Sequence, residues 1–195
     1  MPCLPPPHWC KQYPPQRGSS ACQATVAGYA LGPAILTIVA FERRGTVRYL
    51  LTAPGAGLPV EHCESFELVP SVGIPGDRYA TRTGHWSDRR WPDQECTLVE
   101  VELAEELGLD PALLRRNIVT RGVDLSALIG VEFFVGTAQL RGVRNCDPCR
   151  YLETLTRPGL YEALAGRGGL RAAILRGGVV RVGDRIAVDS AMPAP

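Results

Sequence analysis

A chain of 195 residues, 45% of them hydrophobic, is long enough for one domain with a real core and too apolar to be disordered throughout. A formal net charge of +1 excludes the basic footprint of a nucleic-acid binder or of an anionic-membrane binder, so neither partner is expected. Lys11 is the only lysine, and the remaining positive charge is arginine, whose forked guanidinium suits oxyanions better than a point-charge ammonium does.

Residues 1–44 start with Pro- and Gln-rich punctuation (PCLPPPHWCKQYPPQRGSS) without apolar periodicity, and read as a flexible N-terminal segment. Within it, residues 21–41 carry no charge, but Gln23, Gly28, Gly32, Pro33 and two threonines dilute the stretch below a membrane span. The element expected there is a strand near Ala34–Phe41. The seven cysteines (Cys3, Cys10, Cys22, Cys63, Cys96, Cys146, Cys149) are too irregularly spaced for a secreted disulfide framework. A reducing cytoplasm is the expected setting.

From Gly45 the texture changes, and residues 45–190 read as the domain, followed by a short tail at 191–195. Thr46–Thr52 is β-rich and ends at the turn formers Pro54-Gly55. Phe66–Val72 alternates like a half-buried strand and is followed by a tight turn from Gly73 to Gly76. Thr97-Leu98-Val99-Glu100 has the form of a capping box, which predicts a helix with Thr97 as N-cap running to about Leu107, with Gly108 beyond its end. Asp110-Pro111 predicts the start of a second short helix. Asn117–Thr120, Val131–Val135 and Ala138–Val143 are strand-like, and a third helix is expected over Pro158–Ala165, closed by Gly166. The end reads as a hairpin, Leu170–Leu175 turning at Gly177-Gly178 into Val179–Val182, then Gly183-Asp184 and a last strand Arg185–Val188. Many short strands with a few short helices predict a mainly β fold of α+β type, a barrel with helical additions.

Three groups carry candidate chemistry. Cys146-Asp147-Pro148-Cys149 is compatible with a redox couple, with half of a zinc site, or with one reactive cysteine beside an inert neighbour. The loop Gly73–Ala80 sets Asp77 and Arg78 beside two glycines; it reads either as a surface turn with an ion pair worth under ~1 kcal/mol or as an anion-closing loop. Arg115, Arg116, Asn117 and Arg121 gather cations and an amide around a helix end and a strand, a weak pattern for an oxyanion pocket. The acids Glu100, Glu102, Glu105 and Glu106 read as a solvated helix face. His85 is a loop histidine.

The ordered series GIPGDRYATRTGHWS, TLVEVE, RRNIVTRGVDLSALIG, CDPCRYL and RGGVVRVGDRI, spanning about Gly45 to Val188, resembles the MOSC family, the domain at the C-terminus of molybdenum cofactor sulfurase and of free-standing small proteins. The resemblance implies a β-barrel-rich fold, binding of the pterin–molybdenum cofactor, and a cysteine that ligates molybdenum or carries transferable sulfur. By position that cysteine is Cys149, in both the catalytic and the metal role. Asp77, Arg78, Arg116, Asn117 and Arg121 fall in matching motifs as cofactor-binding residues. Pyridoxal phosphate, which belongs to the other half of the full sulfurase, is not expected, because the only lysine is Lys11.

The activity implied is reduction of N-hydroxylated compounds by oxygen-atom removal at molybdenum. Two electrons would come from an external electron-transfer protein, since no flavin, haem or iron–sulfur motif is present. A non-catalytic carrier of sulfur or of the cofactor, and a Cys146/Cys149 redox switch, remain as alternatives.

Overall fold

The computed structural model describes residues 45–87 and 92–188. The expected strand at Ala34–Phe41 and the segments 1–44 and 191–195 lie outside these residues. Ten strands and three short α-helices are described: β1 Gly45–Thr52, β2 Glu61–Cys63, β3 Ser65–Leu68, β4 Cys96–Glu100, α1 Val101–Glu106, β5 Ile118–Arg121, β6 Glu132–Val135, β7 Ala138–Asn145, α2 Arg150–Thr154, α3 Leu160–Ala163, β8 Leu170–Arg176, β9 Gly178–Arg181 and β10 Arg185–Ala187. The sheet order β10-β6-β7-β8-β4-β5-β1 closes on itself through a β10–β1 pairing, which makes a seven-stranded barrel, with β2 added to β1. The barrel is mixed: β4 and β5 run parallel, as a strand–helix–strand connection through α1 requires. The mainly β reading is borne out.

Two apolar layers follow from the alternation of side chains along these strands. Inside the barrel lie Val47, Leu50, Cys96, Leu98, Ile118, Phe133, Leu140, Leu170 and Ala172, among others. Outside it, Leu51, Val99 and Val119 pack under Val101, Leu103, Leu152, Leu160 and Leu164 of the helical layer. In β1 the register slips between Val47 and Tyr49. That bulge is what lets Val47 and Leu50, three apart, both face inward.

Two sequence expectations are corrected. Thr97–Glu100 is strand rather than a helix cap, and the helix starts only at Val101, with Glu100 in the N-cap position and no side-chain cap. Leu98 and Val99 are both buried, one in each layer, so the segment is a strand covered on both faces, and tertiary burial overrides the local capping pattern. The helix does end as expected, with Gly108 at φ 62°. The C-terminal hairpin does not form either. β8 gives one edge to β7 and the other to β4, closing the barrel, so β9 turns away and pairs with β3.

Other expectations hold. Asp110 caps the 3-10 turn Pro111–Leu114 by accepting from the Ala112 amide at 2.9 Å. β6 and β7 form a tight hairpin, and α3 falls inside the expected third helix. No helix among the described residues is long and apolar enough to cross a membrane.

Candidate functional site

A row of polar side chains crosses the outer face of the barrel, perpendicular to the strands. Its members are Arg144 on β7, Arg171 on β8, Thr97 on β4, Asn117 just ahead of β5, and the Asp77-Arg78 pair. The register pairs Arg144 with Arg171 and Arg171 with Thr97, and cross-strand partners share a face.

Asn117, 1% exposed, is the knot of this row. Its Oδ1 accepts from the Thr97 hydroxyl at 2.8 Å and the Thr97 amide at 3.2 Å. Its Nδ2 donates to the Leu51 carbonyl at 3.3 Å and to Asp77 Oδ2 at 3.4 Å. Asp77 also accepts from the amides of Ala53 and Tyr79 and from Arg78 Nη1 at 3.1 Å. The surface-turn reading of the Gly73–Ala80 loop is therefore corrected: Asp77 and Arg78 are both buried, and the loop is tied into the sheet. Arg78 in turn donates through Nη2 to the Arg115 carbonyl at 2.7 Å.

Arg115 itself adopts the left-handed conformation, φ 56°, unusual for a residue with a Cβ. Its guanidinium donates to the carbonyls of Leu58 and Gly55, which fastens the loop that follows β1. Burial, then the neighbouring Arg78 charge, hold the Arg115 guanidinium below its ordinary pKa.

The cysteine loop is held by Arg116. Its Nε, Nη1 and Nη2 donate to the carbonyls of Gly168, Leu114 and Cys146 at 3.0, 3.0 and 3.2 Å. The Cys146 amide donates to the Gly169 carbonyl, so the loop lies flat against the entry to β8. Gly168 is needed for this approach: a Cβ there would stand 2.4 Å from the Cys146 carbonyl oxygen. Cys149 then caps α2, its Sγ accepting from the Leu152 amide at 3.4 Å, and packs at the edge of the outer apolar layer.

The second cysteine of the Cys-x-x-Cys pair thus opens a short helix. Four cysteines are described, all as free thiols. Cys96 lies inside the barrel, where burial pushes its thiol far up, and Cys146 is buried. Cys63 sits by the Thr52 hydroxyl on the added strand. Cys149 is the half-buried thiol on the site's face.

The remaining assigned residue, Arg121, stands apart. Its exposed guanidinium meets the carboxylates of Glu105 and Glu102 on α1. The acids are thus only partly a solvated face. Glu100 belongs to β4 and accepts from the Leu125 amide, with burial raising its carboxyl pKa, and Glu106 pairs with Arg167. Glu100, Glu102 and Glu106 border a cavity of about 370 Å³ beside α1.

Sequence reasoning missed Arg171 altogether. Its Nε and Nη1 are buried and have no hydrogen-bond partner among the described residues. Nothing in the local sequence marks this arginine, because only the barrel register carries it into the polar row. His85, read from the sequence as a loop histidine, stacks its imidazole on Tyr151 of α2 at 3.8 Å with the rings 10° apart.

Residues 91–187 match the profile of the MOSC domain, so Asp77 and Arg78 precede the matched region. The fold is similar to that of the YuaD protein from Bacillus subtilis, with a TM-score of 0.59 and 19% identity, covering 74% of this chain and 95% of that one. It is also similar to YiiM from Geobacillus stearothermophilus, at TM-score 0.57 and 13% identity over 75% of each chain. YiiM from Escherichia coli aligns at TM-score 0.51 and 18% identity, over 75% of this chain and 72% of that chain. No curated protein matches significantly. Identities this low speak for the fold, and the domain profile speaks for the family. With its barrel, its motif order and its matched region in agreement, the chain belongs to the MOSC domain family.

Proposed function

We propose that this protein binds the pterin–molybdenum cofactor, with Cys149 as the protein's sulfur ligand to the metal, and reduces N-hydroxylated compounds with electrons from an external donor. The observation that carries the reading is the construction around Cys149. The loop that presents this half-buried thiol is tied at the Cys146 carbonyl by Arg116, which is itself anchored on the Gly168 and Leu114 carbonyls, and at the Cys146 amide by the Gly169 carbonyl just ahead of β8. An inert loop cysteine needs no such frame.

The residues present fit the group. A thiolate is a suitable soft ligand for a sulfur-rich metal centre. The two unpaired guanidinium donors of Arg171, on the same strand that backs the cysteine loop, are what an anionic, hydrogen-bond-accepting cofactor needs. When bound, the cofactor supplies two-electron, oxygen-accepting chemistry that protein side chains do not offer.

This chain's own residues hold and orient. Arg116 fixes the Cys146 carbonyl, and with it the loop leading to Cys149. Asn117 and Asp77 lock β1, β4 and Arg78 into one frame, and Arg115 closes the 55–58 loop over it. In this reading Asp77, Arg78, Arg116 and Asn117 act as positioning residues around the cofactor, because their polar atoms already meet protein partners. Arg121 is the outlying member of the proposed set. The electrons come from a partner protein.

The test is metal and pterin analysis of protein made in cofactor-competent cells, together with turnover of an N-hydroxylated base using a chemical reductant. Wild-type protein is expected to carry molybdenum and to turn over. Cys149→Ala is expected to keep its fold and lose both. Full molybdenum content and activity in Cys149→Ala would overturn the proposal. A sulfur-mass adduct on Cys149 without turnover would point instead to a carrier of sulfur.

A further inference from the structure

Arg171 follows Leu170 at the start of β8, facing Thr97 on one side and Arg144 on the other. Two guanidinium groups in register repel each other unless something neutralises them. Arg144 is neutralised: its Nε lies 2.6 Å from Asp93 and its Nη1 3.9 Å from Asp147. Among the described residues no carboxylate pairs with Arg171. Its Nε and Nη1 are shielded from solvent and lack an acceptor among those residues. A guanidinium cannot shed its proton to escape this situation, so the unmet donors are a standing cost unless an acceptor arrives from outside the chain. The strand cannot shift to relieve it, because β7 and β4 hold both of its edges.

The neighbouring arginines cannot take that role. Arg78 is occupied by Asp77 and the Arg115 carbonyl, and Arg116 by three carbonyls. Arg121 meets two carboxylates elsewhere on the barrel. We infer that Arg171, with Arg144 beside it, is the seat of a phosphate group, either free phosphate or the phosphate monoester of a bound cofactor. Arg171 lies three residues beyond Gly168, whose carbonyl accepts from the same Arg116 that holds the Cys146 carbonyl, so an anion on Arg171 sits close along the chain to the anchor of the cysteine loop. Only the choice of the cofactor as natural ligand rests on the function proposed above.

The direct test titrates protein from cells that make no cofactor with inorganic phosphate, reading thermal midpoint and calorimetric affinity. Wild-type protein should gain stability with phosphate. Arg171→Met should lose about ten- to a hundredfold in affinity, the worth of one charge-assisted hydrogen bond. Without phosphate the Met variant should melt no lower than wild type, since it removes unmet donors rather than a made contact. An equal phosphate response in both proteins, or none in wild type, overturns the seat. If the Met variant fails to fold, Arg171→Lys serves: it keeps the charge, loses the fork, and should still bind phosphate more weakly, while unchanged affinity is again fatal.

Pterin and phosphorus analysis of protein from cofactor-competent cells separates the two sources. Pterin retained by wild type and lost from Arg171→Met assigns the seat to the cofactor. Phosphate binding through Arg171 in a wild-type protein that never carries pterin assigns it to free phosphate. That last outcome leaves the seat standing while the molybdenum reading falls.

Discussion

Arg116 and Arg171 flank the same stretch of chain, the entry to β8, and have opposite fates. Arg116 is buried with its donors on three carbonyls, so its charge is spent on joining the cysteine loop to the barrel. Arg171, three residues beyond Gly168, is buried at two donors with nothing among the described residues to receive them. A guanidinium met by the protein's own carbonyls is part of the scaffold. One left with unmet buried donors is a socket, because the desolvation has been incurred without the compensating bond.

The sharpest way to break this contrast is to create a second unmet arginine. Asp77→Ala removes the carboxylate beside Arg78 while leaving the guanidinium buried and unable to neutralise. It is expected to cost about 3–5 kcal/mol, the usual penalty for stranding one member of a buried pair. Denaturant or thermal unfolding would read it, and a loss within ~1 kcal/mol would mean that Arg78 finds other acceptors.

Next in size is Arg116→Ala. It leaves the Gly168, Leu114 and Cys146 carbonyls without this donor, for an expected loss of about 1–3 kcal/mol. Its second readout is local: hydrogen exchange at the Cys146 and Leu152 amides should quicken more than in the barrel strands, because the loop loses its clamp. Uniform quickening throughout the domain would show a general loss of stability instead.

The smallest effect belongs to Arg121→Ala, which removes an exposed ion pair with α1 and is expected to cost under ~1 kcal/mol, and less at high salt. The same variant sharpens the set of proposed cofactor residues. Molybdenum content equal to wild type removes Arg121 from that set, and a clear drop keeps it in.

How much of this was legible beforehand varies by residue. Asp110-Pro111 announced its cap and turn because both partners are neighbours in sequence, and Gly108 marked a helix end for the same reason. Thr97 misled because a capping box is also only a local pattern. Its hydroxyl instead meets Asn117, twenty positions on. The C-terminal glycines suggested a hairpin, but closing the barrel required both edges of β8.

By itself, the sequence determined the mainly β character, the positions of most short strands and turns, and the identity of the cysteine loop, all of which rest on alternation, turn chemistry and motif order. The tertiary structure alone decided which polar groups are finished and which are not. Burial and partner count depend on strand register, and register joins residues far apart in the chain. Arg116 and Arg171 look alike in the sequence; the barrel places three carbonyls around one and, among the described residues, leaves two donor atoms of the other without acceptors.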